Sequence, residues 1–181
     1  MICDKHKTVF IHIPRNAGRS VYEALGVSSK DLSEFSTITE IEKKNPLAIL
    51  SYYKWTIVRN PWERELSLYN YALEENIIGN KSFKDYLEMV KSKSINNSII
   101  QKNQIDYFTQ NNYVQVDQIV RLEYISTAWK KVCEQIKIEK IDLQHINKSK
   151  NQDNQYTQES MRLVAEIRKQ DIEFLNYDFP D

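Results

Sequence analysis

The sequence feature that most constrains the fold is an apolar run that passes directly into a small, cationic loop within residues 9–20. Residues 9–13 read Val-Phe-Ile-His-Ile, which is largely apolar on both faces and typical of a strand in the middle of a sheet. Pro14 has no N–H to donate and ends this strand. A short helix follows, which Gly26 is placed to end. Because N–H groups at a helix start favour anions, the stretch predicts a strand, an anion-binding loop and a helix.

The same loop matches the nucleotide P-loop pattern G-x-x-x-x-G-K-[ST] only in part. The sequence Gly18-Arg19-Ser20 imitates the Gly-Lys-Ser end, but Ile13 occupies the position of the first glycine. No convincing apolar strand ends in an Asp that could bind magnesium. We therefore expect a loop that binds an anion but does not enclose a nucleotide triphosphate as a P-loop does. An ordinary strand-to-helix turn with scattered charge is the alternative.

A second strand-to-helix junction lies at residues 55–77. Trp-Thr-Ile-Val at 55–58 predicts a strand, after which Asn60 is a suitable N-cap, Pro61 suits the first helical position and Glu63 completes a capping-box spacing. The predicted helix runs to about Ile77, and its core-facing stripe is Trp62, Leu66, Tyr69 and Leu73.

Two polar side chains at this junction suit a phosphate monoester. Arg59 ends the strand and Ser67 lies two turns into the helix, so a bidentate guanidinium and one hydroxyl can reach the same group. Arg64 either shares this pocket or faces solvent. Taken without the first loop, Arg59 reads as a surface arginine and Ser67 as a small residue that permits close packing.

Composition limits the classes of function that the chain can have. In 181 residues, 25 Lys and Arg balance 25 Asp and Glu, so no overall positive field indicates nucleic acid or an anionic membrane. Cys3 and Cys133 form no C-x-x-C pair, which fits a reducing compartment, and the three His residues lack zinc-ligand spacing. No apolar run approaches membrane-spanning length and no signal peptide is visible, so we expect a cytoplasmic protein without a transmembrane segment.

The remaining chain alternates helices and strands, which predicts one α/β domain over residues 1–181 with a mostly parallel sheet. Residues 92–104 are polar and predict a surface loop long enough to cover a substrate. The other predicted elements are a short helix at 39–45, a short strand at 47–50, an amphipathic helix at 82–90, a strand at 118–122, a helix near 125–136 and a final helix capped by Thr157.

The two junctions together resemble sulfotransferases that use 3′-phosphoadenosine 5′-phosphosulfate (PAPS), specifically the branch of carbohydrate sulfotransferases and their small bacterial relatives. Residues 10–20 look like that family's 5′-phosphosulfate loop, commonly H-I-P-K-T-A-G-T-S. Residues 58–69 look like its 3′-phosphate motif, V-R-N-P-W-x-R-x-x-S-x-Y. Weaker matches follow in the family's order at residues 120–123, 145–149 and 171–179. The resemblance implies a P-loop-like three-layer fold with helices flanking a mostly parallel central sheet.

The resemblance also implies roles for individual residues. Arg15 occupies the catalytic lysine position, and Arg59 and Ser67 would hold the 3′-phosphate. Lys148 and Ser149 would add contacts near the adenosine. The residues implied around the 5′-phosphosulfate are Arg15, Asn16, Ala17, Gly18, Arg19 and Ser20.

The first loop departs from the family pattern at three of these positions. Arg15 replaces Lys, and Asn16 and Arg19 replace two Thr residues. The histidine often found after the family's first helix has no equivalent near residues 35–37. Arg15 can neutralise a bridging oxygen but does not donate a proton at neutral pH. Because the leaving group departs as an anion, that loss is compatible with turnover.

The base that deprotonates the acceptor is left open by the sequence. His145 is the better placed candidate, beside a loop that resembles a cofactor loop, whereas His12 reads better as a hydrogen-bonded strand histidine. The further candidates by residue type are Glu40, Glu42 and Glu123.

The expected reaction is metal-independent sulfuryl transfer from PAPS to a hydroxyl, with 3′-phosphoadenosine 5′-phosphate (PAP) as product. The acceptor expected from the resemblance is a carbohydrate or glycan. Two alternatives stand beside this hypothesis. One is a P-loop nucleotide or adenylylsulfate kinase, and the other is a non-catalytic nucleotide-binding relative, which the departures in the first loop motivate.

Overall fold

A computed structural model describes residues 1–27, 35–139, 143 and 156–180. The chain divides into two compact units. The first unit comprises Met1–Val58 and Gln104–Asn147, and the second comprises Arg59–Asn103 and Lys148–Asp181. A single domain over the whole chain stays a prediction.

Four strands of the first unit form a mixed, mostly parallel sheet, as the sequence predicts. The strands in chain order are β1 (Ile2–Cys3), β2 (Thr8–Ile11), β3 (Tyr53–Val58), β4 (Thr109–Gln110), β5 (Tyr113–Val114) and β6 (Gln118–Arg121). The sheet has the order β1-β2-β3-β6, in which β2, β3 and β6 are parallel and β1 runs antiparallel to β2. A separate antiparallel pair joins β4 and β5.

Helices alternate with these strands along the chain, which gives the mixed α/β composition that the sequence predicts. They are α1 (Gly18–Ala24), α2 (Ile38–Lys44), α3 (Pro46–Ser51), α4 (Pro61–Glu74), α5 (Phe83–Lys91), α6 (Ser98–Gln101), α7 (Ile105–Phe108), α8 (Ile125–Gln135), α9 (Gln158–Ile167) and α10 (Lys169–Leu175). Among the described residues, no helix is both long and apolar enough to cross a membrane. Cys3 and Cys133 are buried and are not in a disulfide bond.

The pairing of β2 with β3 decides where the first loop begins. All four residues of β2 are buried, as expected of a strand with neighbours on both sides. Ile11 pairs with Thr56, whose hydroxyl donates back to the Ile11 carbonyl at 2.8 Å. The chain therefore leaves β2 beside Ile57, near the carboxyl end of β3.

The core of the first unit lies between this sheet and two helices. Phe10 and Trp55 pack with ring centroids 4.5 Å apart, and Trp55 contacts Trp129 of α8 at 5.8 Å. Val21 and Tyr22 of α1 join the same buried cluster. This packing holds α1, and so the end of the loop before it, against the sheet.

The second unit is centred on a buried ion pair. Arg168 Nε donates to Glu65 Oε2 at 2.6 Å, and Tyr86 donates to Glu65 Oε1 at 2.8 Å. Arg168 also donates to the carbonyls that end α6, those of Ile100, Gln101 and Lys102. Because both charges of the pair are buried, each needs the other to offset its desolvation.

Three predictions for these elements are wrong. Residues 47–50 belong to α3, because Pro46 suits a first helical position and a short apolar run does not distinguish strand from helix. The stretch 92–104 contains α6 and buries Ile95 and Ile100, so it is not a plain surface loop. The final helix is interrupted at Arg168, which separates α9 from α10.

Candidate functional site

The loop between β2 and α1 has an unusual backbone. Arg15 and Ala17 both adopt left-handed conformations, with φ of 70° and 58°. Such angles are uncommon outside glycine and need support from the surrounding structure. Left-handed residues on either side of Asn16 form the kind of turn in which successive N–H groups can face one anion.

Gly18 is required at the start of α1 because the imidazole of His12 packs against it. A Cβ added at Gly18 would lie 1.8 Å from His12 Nε2, far inside van der Waals contact. The His12 ring is held among Phe10, Tyr22 and Phe35, with centroid distances of 5.8, 5.4 and 4.8 Å. The sequence alone identifies this glycine as a loop residue but gives no sign of its partner.

The His12 ring is neutral at physiological pH. Burial lowers the pKa of His12 from 6.5 to about 3, and the positive N-terminus adds a smaller effect in the same direction. Its Nδ1 is buried without a hydrogen-bond partner. His12 therefore differs from the hydrogen-bonded strand histidine that the sequence predicts: it lies just beyond β2 and acts as packing for the loop.

Asn16 is tied into the protein by its side chain. Its Nδ2 donates to the Ile57 carbonyl at 2.8 Å and to Gln104 Oε1 at 2.7 Å. Its backbone N–H donates to the Ile13 carbonyl at 3.3 Å. Gln104 is fully buried and was not identified from the sequence, because 88 residues separate it from Asn16 and no motif marks it.

The other loop side chains fall into two groups. Arg15 and Arg19 are exposed residues. Ser20 is buried at the start of α1, where its N–H donates to the Ala17 carbonyl at 3.1 Å. The loop thus combines a fixed backbone with two exposed cations.

The second candidate group lies at the start of α4, in the second unit. Arg59 is buried, and its Nε donates to Glu63 Oε2 at 3.1 Å. Ser67 is also buried and lies four residues after Glu63, on the same face of α4. The ion pair with Glu63 fixes the direction of the Arg59 guanidinium.

Asn60 fixes the start of α4 as the sequence predicts. Its Oδ1 accepts the Trp62 N–H at 3.1 Å, and its Nδ2 donates to the Asp178 carbonyl at 2.8 Å. Arg64 is buried, so the prediction that it could face solvent is wrong. Its Nη1 donates to the Lys102 carbonyl at 3.4 Å.

The candidates for a general base divide by where they lie. His145 lies outside the described residues, and so do Lys148 and Ser149, which are predicted to contact the adenosine. Glu40 completes the capping box of α2, accepting the Thr37 N–H at 2.7 Å. Glu42 is half-buried on the same helix, and Glu123 is exposed in the turn after β6. Within the described ranges, no cluster of three or more His, Cys, Asp or Glu residues could hold a metal ion.

Comparisons with known proteins give one family. The model of the family described as "Sulfotransferase family" matches residues 1–178. A solved sulfotransferase from Alicyclobacillus acidocaldarius is similar at 13% sequence identity with a TM-score of 0.47. The alignment covers 78% of this chain and 60% of that one, so this chain spans less than two thirds of the other protein's length. A comparison with curated proteins found no match.

Proposed function

Because the chain belongs to the sulfotransferase family, we propose that it transfers a sulfuryl group from PAPS to a hydroxyl of a carbohydrate. The observation that carries this proposal is the family match over residues 1–178, which includes both junctions that resemble the cofactor motifs. The carbohydrate acceptor rests on the resemblance to one branch of the family alone. When bound, PAPS supplies the activated sulfuryl group.

The first loop fits the 5′-phosphosulfate end of this cofactor. We assign to it the backbone at Ala17 and Gly18, the hydroxyl of Ser20 and the exposed cations Arg15 and Arg19. The left-handed backbone at Arg15 and Ala17 supports the assignment, because a turn of this kind can direct successive N–H groups at one anion. Asn16 is not among these groups, because its N–H donors all bond within the protein.

Arg15 is the proposed catalytic residue of this loop. Its guanidinium remains protonated, so it stabilises negative charge on the departing oxygen without giving up a proton. A sulfuryl group carries less negative charge than a phosphoryl group, so cations and N–H groups of the chain can position it without a metal ion. His145 is the proposed base that accepts the acceptor's hydroxyl proton.

The start of α4 fits the 3′-phosphate. We assign to it Arg59, whose direction is set by Glu63, and the buried hydroxyl of Ser67. A planar guanidinium and a hydroxyl suit the tetrahedral oxygens of a phosphate monoester. Lys148 and Ser149 are proposed to add contacts near the adenosine.

Calorimetric titration of PAP without magnesium tests the proposal. We expect wild type to bind PAP, Ser67→Ala to bind it about tenfold more weakly, and neither to bind ATP comparably, because one charged hydrogen bond is removed. Equal binding of ATP would indicate a kinase, and absence of PAP binding would contradict the proposal.

A transfer assay then separates the enzyme from a non-catalytic relative. Labelled PAPS is incubated with the protein and a panel of glycans and phenols, with Arg15→Ala as the comparison. We expect label on a glycan with wild type and at least about a hundredfold less with Arg15→Ala, because charge on the departing oxygen is no longer stabilised. PAP binding with no transfer to any acceptor would favour the non-catalytic relative.

A further inference from the structure

We propose that Asn16 is a positioning residue that locks the anion loop to the end of β3 and to Gln104, and that it makes no hydrogen bond to the cofactor. The part of this inference that concerns the ligand rests on the proposed function. The part that concerns the loop stands on the contacts of Asn16 alone.

Every N–H of Asn16 already has an acceptor within the protein. The backbone N–H donates to Ile13, and the two protons of Nδ2 donate to Ile57 and Gln104. An asparagine carries three such donors in all. None is left for an anion.

The remaining polar atom of the side chain also excludes contact with an anion. Asn16 Oδ1 is buried and has no hydrogen-bond partner, and an amide oxygen can only accept. A deprotonated phosphosulfate has no proton to give it. Rotating the amide would place Oδ1 against the Ile57 carbonyl, which can only accept, so the observed orientation is fixed by the backbone of β3.

The loop needs this kind of support. Arg15 and Ala17 flank Asn16, and both hold left-handed backbone angles that persist only where the surrounding structure enforces them. The two bonds from Nδ2 join the middle of this turn to β3 and to the start of α7. A threonine, which the family pattern has here, carries one hydroxyl donor and could not make both bonds.

The test uses two variants and a matched control. Asn16→Ala removes both side-chain bonds, and Asn16→Asp keeps the size but replaces the donors by an acceptor. Asn112→Asp makes the same change at an exposed position of the first unit. Should Asn16→Asp fail to fold, Asn16→Ala decides.

The first measurement is amide hydrogen exchange without any ligand. The N–H groups of Asn16, Ser20 and Val21 are hydrogen-bonded within this turn. We expect their exchange to accelerate at least about tenfold in Asn16→Ala and in Asn16→Asp and to stay unchanged in Asn112→Asp, because the turn opens more readily once the two hydrogen bonds from Asn16 Nδ2 are lost. Unchanged exchange in Asn16→Ala overturns the inference.

The second measurement compares two nucleotides that differ at the 5′ end. We expect Asn16→Ala to weaken PAP binding about tenfold and to leave adenosine 3′-phosphate within about twofold, because only PAP uses the loop. Equal loss of both nucleotides would indicate general destabilisation and overturn the inference. If wild type binds neither nucleotide, the proposed function fails, while hydrogen exchange still decides whether Asn16 holds the loop.

Discussion

The loop at residues 12–20 and the start of α4 present positive charge in opposite ways. In the loop, the backbone is fixed by Gly18 against His12, while the cations Arg15 and Arg19 are exposed. At α4 the cation itself is buried and directed by an ion pair with Glu63. We therefore expect the loop to tolerate replacement of an arginine by lysine but not a substitution that moves its backbone. At the start of α4, we expect replacement of Arg59 by lysine to weaken binding.

The distribution of departures from the family pattern agrees with this difference. The three departures from the family pattern all lie in the loop, at Arg15, Asn16 and Arg19. Residues 58–69 match every specified position of the second motif. Several of those specified residues serve the fold of the second unit. Trp62 Nε1 donates to the Met161 carbonyl at 3.0 Å, and Tyr69 donates to the Lys81 carbonyl at 2.9 Å.

The largest expected effect comes from adding one methyl group to the loop. In Gly18→Ala, the new Cβ would meet the buried His12 ring, so either the ring or the start of α1 must move. We expect the free energy of unfolding to fall by about 3 kcal/mol and PAP binding to be lost. Urea unfolding and calorimetry measure the two effects.

Gly26→Ala is the matched control for this change. Gly26 has a φ of 64° and no heavy atom within 4 Å of an added Cβ, so only backbone strain opposes the substitution. We expect a loss of about 1 kcal/mol and unchanged PAP binding. Equal loss of PAP binding in both variants would contradict the role given to the contact between Gly18 and His12.

The next effect is a pH dependence that originates in the loop. The pKa of His12 is about 3 in the folded protein and near 6.5 when unfolded, so between these values only the unfolded chain binds the proton. The neutral His12 ring therefore costs no stability above pH 6.5. As the pH falls from 6.5 towards 3, the free energy of unfolding decreases, because protonation favours the unfolded chain. We expect about 2 kcal/mol less stability from this group at pH 5 than at pH 7.5.

Urea unfolding of wild type and His12→Gln at both pH values checks this expectation. The other titrating groups remain in the variant, so the difference between the two proteins isolates His12. The variant should lose less stability than wild type on acidification. An equal loss in both proteins would mean that the imidazole is not held neutral in the folded state.

Local patterns predicted much of the scaffold. Apolar runs predict strands β2 and β3. Cap residues predict the start of α4 at Asn60 and the end of α1 at Gly26. Each of these signals lies within a few neighbouring residues of the sequence. The spacing of Glu63 after Asn60 predicts a capping box, but the structure shows the Glu63 carboxylate in an ion pair with Arg59. The binding roles assigned to both junctions stay predictions.

The features that shape the loop depend on contacts made only after folding. Gln104 meets Asn16 across 88 residues of sequence, and no local pattern marks either residue as the other's partner. The sequence places His12 in a strand but does not show that its ring closes against Gly18. Arg64 likewise looks like a surface cation until α4 packs with Lys102.

The smallest expected effect tests the comparison directly, by making the same substitution in both regions. Arg59→Lys keeps the charge but loses the planar fork and the bond from Nε to Glu63, so PAP binding should weaken about tenfold, or about 1.4 kcal/mol. Arg19→Lys keeps an exposed charge and should weaken PAP binding about twofold or less. Calorimetric titration of both variants measures the two ratios. Equal losses would mean that the loop also depends on guanidinium geometry, and that a fixed backbone with interchangeable cations is the wrong description of it.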